Sequence, residues 1–161
     1  MILSDQEGNV WVGRESGLML WRDDQWHQFG PSQGLPHSDV RVLREDRDGW
    51  LWAGTFGGGL ARLRLIRPPS VPGSASPGRD APQIEVQKIG LPVGRGTDFV
   101  WALHIDANGV LWAGTRGGLL RLVQRRPIPA SPAAASGGSV PEFEARLFTA
   151  EDGLLTRSST R

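Results

Sequence analysis

The sequence predicts an all-β protein made of about three similar four-stranded antiparallel sheets. Three observations support this prediction. One nine-residue pattern occurs three times, short runs that alternate apolar and polar residues surround each copy, and 22 glycines and 12 prolines among 161 residues predict many turns. No stretch has the apolar spacing of an amphipathic helix.

The repeated pattern reads DQEGNVWVG, DRDGWLWAG and DANGVLWAG, and the three copies align without gaps. An apolar run follows each copy. A repeat of this kind predicts a structural unit that packs against its neighbours, so we assign the shared residues to the frame of the protein. The shared positions are Asp5, Asp46 and Asp106; Gly8, Gly49 and Gly109; Trp11, Trp52 and Trp112; and Gly13, Gly54 and Gly114.

Two low-complexity stretches rich in proline, serine, alanine and glycine interrupt the repeats, at 66–82 and 124–141. Without them each unit has about 40 residues, a typical length for a propeller blade. We therefore expect one repeat domain over 1–161. Its units cover about 1–30, about 38–89 and about 98–148, and 149–161 forms the joint to a next unit.

Each unit is predicted to contain four strands. In the second unit the first strand is VRVLRED, which alternates apolar and polar residues, and a turn at Gly49 follows it. The glycine of such a turn can take a positive φ, and the aspartate before it can accept backbone N–H bonds. The other strands are WLWAGT, GLARLRL and IEVQKI; the fourth strands of the other units are QWHQF and FEARLF. Four short strands per unit are typical of β-propeller blades.

The pattern D-x-x-G-x-x-W-x-G-T-x-x-G-G-L resembles the two-component regulator propeller repeat. Residues 29–46, FGPSQGLPHSDVRVLRED, are similar to the segment that joins two blades in that family, and FTAEDGLL at 148–155 resembles the start of another joint. Arg14 departs from the pattern, since threonine stands at the equivalent Thr55 and Thr115.

The resemblance implies a function as well as a fold. Such propellers form the sensor regions of bacterial hybrid histidine kinases and related regulators. They lie outside the cytoplasmic membrane, and several members recognise polysaccharide fragments. We therefore expect a non-catalytic sensor segment that is periplasmic, is part of a longer membrane-anchored protein and binds a small molecule or an oligosaccharide.

A ligand is expected on the face made by the loops between second and third strands and by the joints between blades. Side chains that vary on a repeated frame are the best candidates for specificity. The loop positions differ sharply in chemistry, and the joints add basic side chains. The predicted ligand-binding residues are Glu15, Phe56, Arg116, His37, Arg95 and Arg157.

Composition excludes several other classes. The net charge is +1, which gives no electrostatic case for binding nucleic acid or an anionic membrane surface. The chain has no cysteine, and therefore no disulfide and no thiolate zinc site. The first residues, MILSDQEGN, lack the basic and apolar regions of a signal peptide, and no apolar run reaches membrane-spanning length.

Some motifs could also be interpreted as calcium, phosphate or catalytic sites, but the sequence does not favour these interpretations. A calcium loop starting at Asp46 would need glutamate at its twelfth position, which is Gly57, and the glycines after Thr55 lack the Gly-Lys-Ser/Thr of a phosphate loop. His27, His37 and His104 are scattered. We expect no catalytic residue, metal or cofactor. A fragment of a lyase-like propeller enzyme and a protein-interaction scaffold remain the alternatives.

Three blades are fewer than the four to eight that close a propeller ring. We therefore expect an incomplete ring, cut from a longer array of repeats. Its partners are predicted to be neighbouring blades or a second copy of the chain, because exposed blade faces and strand edges favour association.

Overall fold

The computed structural model describes residues 1–66, 81–92, 95–125 and 143–154. The described residues form twelve strands in three four-stranded antiparallel sheets, which confirms the predicted fold class. β7 ends at Ile66 and β11 at Gln124, the first residues of the two predicted inserts. Most of both inserts, and Arg157, lie outside the described residues.

Each sheet contains four strands that are consecutive in the chain, and each strand pairs with the next. The first sheet is β1 (Ile2–Ser4), β2 (Val10–Arg14), β3 (Gly17–Arg22) and β4 (Gln25–Phe29). The middle sheet is β5 (Val40–Glu45), β6 (Leu51–Thr55), β7 (Leu60–Ile66) and β8 (Gln83–Lys88). The third sheet is β9 (Val100–Ile105), β10 (Leu111–Thr115), β11 (Gly118–Gln124) and β12 (Phe143–Phe148).

The turn between the first two strands of each sheet has the predicted geometry. In the middle sheet the Gly49 N–H donates to the carbonyl of Asp46 at 3.2 Å, and the Asp46 N–H donates to the carbonyl of Trp50 at 2.9 Å. Gly49 has a φ of 77°, a conformation that favours glycine. The equivalent glycines of the other two turns also have positive φ, so one local sequence produces one turn three times.

The first and middle sheets pack face to face around an apolar core. The first sheet contributes Trp11, Leu18, Leu20 and Phe29, and the middle sheet contributes Val40, Leu43, Leu51, Ala53 and Leu63. Burial of these side chains is the main favourable contribution to this interface. We call it the first blade interface.

The middle and third sheets form a second blade interface of the same kind. Val42, Trp52 and Leu60 of the middle sheet pack on a longer set from the third sheet. That set is Val100, Leu103, Leu111, Ala113, Leu120 and Leu122. The middle sheet is therefore covered on both faces. The described sheets do not close a ring, because the first and third sheets each pack against only one other sheet.

Two three-residue 3-10 turns lie outside the sheets, Pro31–Gln33 and Ala150–Asp152. They occupy equivalent places after β4 and β12, and a glycine with positive φ, Gly34 or Gly153, ends each turn. The described residues contain no helix long and apolar enough to cross a membrane.

Candidate ligand-binding site

The repeated aspartates and tryptophans form hydrogen-bonded turns. Asp106 Oδ1 accepts the backbone N–H groups of Asn108 at 2.8 Å and of Val110 at 3.0 Å. Asp106 Oδ2 accepts the indole N–H of Trp112 at 3.1 Å. Asp5 binds Trp11 and Asp46 binds Trp52 in the same way, each at 2.8 Å. The repeated residues therefore stabilise the turns of the three sheets.

The same hydrogen bonds affect the charge of the turn. The Trp112 indole N–H, followed by the Val110 backbone N–H, holds the pKa of the Asp106 carboxyl below its ordinary value. Hydrogen bonds to a carboxylate favour its charged form. The turn at Asp106 therefore stabilises the charged form of the carboxylate that accepts the Trp112 indole N–H.

The residues that differ between the repeats lie at the other end of the sheets. There Arg41 of the middle sheet contacts Glu15 of the first sheet. Arg41 Nε lies 2.7 Å from Asp39 Oδ1, and a second guanidinium nitrogen lies 2.7 Å from Asp39 Oδ2. That nitrogen is also 3.4 Å from Glu15 Oε1 in the first sheet. Arg41 is thus held beside Asp39 by one hydrogen bond, to Oδ2, and by a close ionic contact with Oδ1.

Two phenylalanines continue this arrangement from the middle sheet to the third. The Phe56 and Phe99 rings have centroids 4.8 Å apart and meet edge to face at 74°. The Arg41 guanidinium lies 5.3 Å from the centre of the Phe56 ring, and the Arg116 guanidinium lies 5.5 Å from that of Phe99. These distances allow cation–π attraction. Glu15, Arg41, Phe56, Phe99 and Arg116 therefore form a continuous set, which we call the aromatic–arginine row.

Backbone hydrogen bonds fix the loops that carry the row. The Phe56 N–H donates to the Asp39 carbonyl at 2.9 Å, and the Arg116 N–H donates to the Phe99 carbonyl at 3.1 Å. The Asp98 carbonyl accepts the N–H groups of Gly57 and Gly59. The two bonds to Asp98 connect the loop after β6 to the segment that enters the third sheet, so the row is supported by the packed frame. Phe56 is nevertheless 41% exposed.

The structure brings three predicted ligand-binding residues, Glu15, Phe56 and Arg116, into the row. His37 lies beside it: its ring packs over Gly57, and its Nδ1 accepts the Asp39 N–H at 3.0 Å. Exposed Arg95 lines a shallow depression with Gly117, Thr149 and Glu151. The prediction for Arg157 falls outside the described residues.

Sequence reasoning missed Arg41 and Phe99, which connect the predicted residues. Both lie at the start of a first strand, where the chain enters a blade, whereas the predicted residues came from loops and joints. A usable signal was present, because Asp39 and Arg41 have opposite charges and a spacing of two residues, which places them on one side of a strand.

The opposite end of the sheets contains carboxylates from two neighbouring turns. Gln6 donates its backbone N–H to Glu45 Oε2 at 2.9 Å and its side-chain amide to the Asp46 carbonyl at 3.0 Å. Burial raises the pKa of Glu45. Among the described residues no group of three or more histidine, cysteine, aspartate or glutamate side chains is placed to hold a metal ion.

Comparison with known proteins supports the repeat assignment. The family model described as two component regulator propeller matches residues 34–57 and 94–117. The two matched segments are equivalent: each runs from a joint through the first strand and the glycine-turn pattern to the loop that carries Phe56 or Arg116. Residues 34–57 and 94–117 therefore match the two-component regulator propeller repeat.

Comparison with solved structures supports the fold. The extracellular domain of a hybrid two component system from B. thetaiotaomicron is similar to this chain, with a TM-score of 0.59 and 20% sequence identity. The similarity covers 94% of this chain and 17% of that chain, so this sequence spans about a sixth of the other protein's length. A search of curated proteins finds no match to this chain.

Proposed function

We propose that this chain is a non-catalytic segment of a sensor propeller in a bacterial two-component regulator, and that it binds a small ligand at the aromatic–arginine row. The observation that carries the proposal is the position of Phe56. Phe56 is 41% exposed, yet its ring is held against Phe99 and beside the Arg41 guanidinium, while the Arg116 guanidinium lies on the far ring of the pair. An exposed aromatic ring on a rigid frame, with polar groups around it, suits ligand recognition.

An oligosaccharide suits the chemistry of the row. The flat apolar face of a sugar ring can pack against Phe56, while arginine N–H groups and carboxylate oxygens can bind hydroxyl groups. Glu15 and Arg116 lie at opposite ends of the row and can bind different parts of an extended ligand. The family that the repeats match supports a role in signalling. The similar structure is an extracellular domain, which supports a periplasmic location.

Isothermal titration calorimetry of the 161-residue chain against a panel of neutral and acidic oligosaccharides tests the proposal. For any oligosaccharide that binds, Phe56→Ala should weaken binding by about tenfold or more, because the variant loses the stacking surface. Arg116→Ala should also weaken oligosaccharide binding. Ile66→Ala is the matched control, since Ile66 is an equally exposed apolar residue, at 42%, outside the row.

Near-ultraviolet circular dichroism of each variant establishes that the tryptophan packing is retained. Binding that survives Phe56→Ala would contradict the placement of the site. Absence of binding across the panel would contradict the oligosaccharide assignment.

A further inference from the structure

A cavity of about 330 Å³ lies between the loop after β6 and the segment that leads from β8 to β9, and we call it the joint cavity. It belongs to the middle sheet and its joint to the third sheet, so it does not depend on either outer sheet face. Sites for small ligands have volumes of about 300–1,000 Å³, and this cavity therefore suits one sugar ring or a smaller group. Its lining includes Gly57, Gly59, Ile89, Leu91, Pro92 and Asp98.

The local sequence leaves this space unfilled. Residues 57–59 are three consecutive glycines, which have no side chains to occupy it, and a Cβ on Gly59 would lie 3.1 Å from Leu91 Cδ1. Leu91 is only half-buried, whereas Leu35, in the same Gly-Leu-Pro motif of the preceding joint, is 1% exposed. Apolar surface therefore remains accessible at the joint between the middle and third sheets.

The walls of the joint cavity combine apolar side chains with one carboxylate. Ile89, Leu91 and Pro92 are half-buried and provide the apolar part. Asp98 is exposed, and its carboxylate has no hydrogen-bond or ion-pair partner among the other described residues. The backbone that carries this carboxylate is fixed, because the Asp98 carbonyl accepts the Gly57 N–H at 2.9 Å. The cavity thus offers apolar contact and a charged acceptor to the same ligand group.

The joint cavity begins one residue away from the aromatic–arginine row. Gly57 follows Phe56 in the chain, and Asp98 precedes Phe99. Phe56 and Phe99 form an antiparallel bridge, and their ring centroids are 4.8 Å apart. Consecutive Cα atoms are only about 3.8 Å apart, so a disaccharide that stacks on Phe56 is long enough to reach the cavity.

We propose that the oligosaccharide bound at the row carries an N-acetyl group and that this acetamido group occupies the joint cavity. The inference rests on the proposed function, because it assigns a substituent to the ligand of the same site. The acetamido methyl group packs on Leu91 and its apolar neighbours, and the acetamido N–H donates to the Asp98 carboxylate in a charge-assisted hydrogen bond. A hydroxyl group lacks the methyl contact, and an acidic substituent meets Asp98 with like charge, so the cavity discriminates against both.

Two disaccharides with the same linkage test the proposal. N,N′-diacetylchitobiose has acetamido groups where cellobiose has hydroxyl groups. In calorimetric titrations of the 161-residue chain, N,N′-diacetylchitobiose should bind about tenfold or more tightly than cellobiose, because only its acetamido group makes the apolar contact and the charged hydrogen bond. In saturation-transfer NMR its acetyl methyl protons should receive more saturation than its ring protons, since the methyl group lies against the protein.

Asp98→Ala removes the carboxylate but keeps the backbone carbonyl that binds the glycine loop. It should weaken the binding of N,N′-diacetylchitobiose by about fivefold or more and leave the binding of cellobiose unchanged. Asp48→Ala is the matched control, since Asp48 is an exposed aspartate in the turn at the opposite end of the middle sheet, and it should change neither affinity. Should Asp98→Ala unfold by circular dichroism, Asp98→Asn replaces it, and the comparison of the two sugars on the wild type still decides.

The outcomes separate this proposal from the proposed function. Equal affinity for the two sugars, with both lost in Phe56→Ala, would overturn the acetamido assignment and leave the row as the site. A preference for N,N′-diacetylchitobiose that Asp98→Ala removes and Phe56→Ala does not would support the joint cavity and contradict the row. Binding of neither sugar would overturn the acetamido assignment outright.

Discussion

A single aspartate in each repeat binds both the backbone of its own turn and a tryptophan six residues later. Asp46 accepts the N–H groups of Asp48 and Trp50 through one oxygen and the indole N–H of Trp52 through the other. The hydrogen bond to Trp52 fixes the orientation of the indole ring on which the next sheet packs. Turn formation and blade packing are thus coupled through one carboxylate.

Replacing this carboxylate by an amide should destabilise the fold. In Asp106→Asn the side-chain oxygen can still accept the turn N–H groups, but the NH₂ group meets the Trp112 N–H, which is also a donor. The midpoint of thermal unfolding at neutral pH is expected to fall. Trp112→Phe removes only the indole donor and serves as the comparison, because the backbone bonds to Asp106 remain.

The pH dependence of stability gives a second measurement on the same variant. The folded state lowers the pKa of Asp106 below its unfolded value of about 3.9, so its stabilising contribution is present above that pH. The contribution is lost as the pH falls through the folded pKa. The difference in melting temperature between wild type and Asp106→Asn should therefore shrink on acidification. A difference that stays constant as the pH falls well below the unfolded pKa would contradict this.

The sequence predicted which residues take part in these contacts better than it predicted which residues contact one another. Asp5, Asp46 and Asp106 were expected to accept turn N–H groups, and Trp11 and Trp52 are buried between sheets. The Asp–Trp hydrogen bond was missed, although the constant spacing of six residues signals it. Phe99 was missed because it meets Phe56 only once two sheets pack together.

At the scale of a single sheet, the glycine after each repeated tryptophan allows the sheets to approach one another. A Cβ on Gly54 would lie 2.6 Å from Val42 Cγ1 and 2.7 Å from Val100 Cγ1, the latter in the third sheet. At the equivalent Gly114 a Cβ would meet only atoms of its own sheet, the nearest being the Ala102 Cβ at 3.1 Å.

The two glycines therefore form a matched pair of substitutions. Gly54→Ala should lower the free energy of unfolding by about 1–3 kcal/mol, because the added methyl group overpacks the second blade interface. Gly114→Ala should have a clearly smaller effect. Chemical denaturation at low protein concentration measures both. Equal losses would show that local strand geometry, and not sheet packing, determines the requirement for glycine.

The sheets were predictable from local pattern, but their individual differences were not. Strand bounds agree with the repeat because alternation and turn glycines are local signals. Arg62 was not expected in an interface, since a charged side chain is rarely buried. The structure stacks it on Trp50 and Phe143, and burial lowers its pKa. That arrangement depends on the neighbouring sheet.

At the scale of the whole molecule, the middle sheet belongs to both apolar cores. Leu43, Leu51 and Leu63 pack towards the first sheet, while Val42 and Leu60 pack towards the third. In repeat proteins stability is close to a sum of unit and neighbour-interface terms, so a unit with two neighbours is the most stable. The outer sheets each have one neighbour and should open first.

Native-state hydrogen exchange measures this gradient. At a protein concentration that favours the monomer, amides of β6 should exchange about tenfold or more slowly than those of β2 and β10, because opening the middle sheet breaks two interfaces. Equal protection of β2, β6 and β10 in the monomer would contradict the neighbour-interface account, because it would mean that the three sheets unfold as one unit.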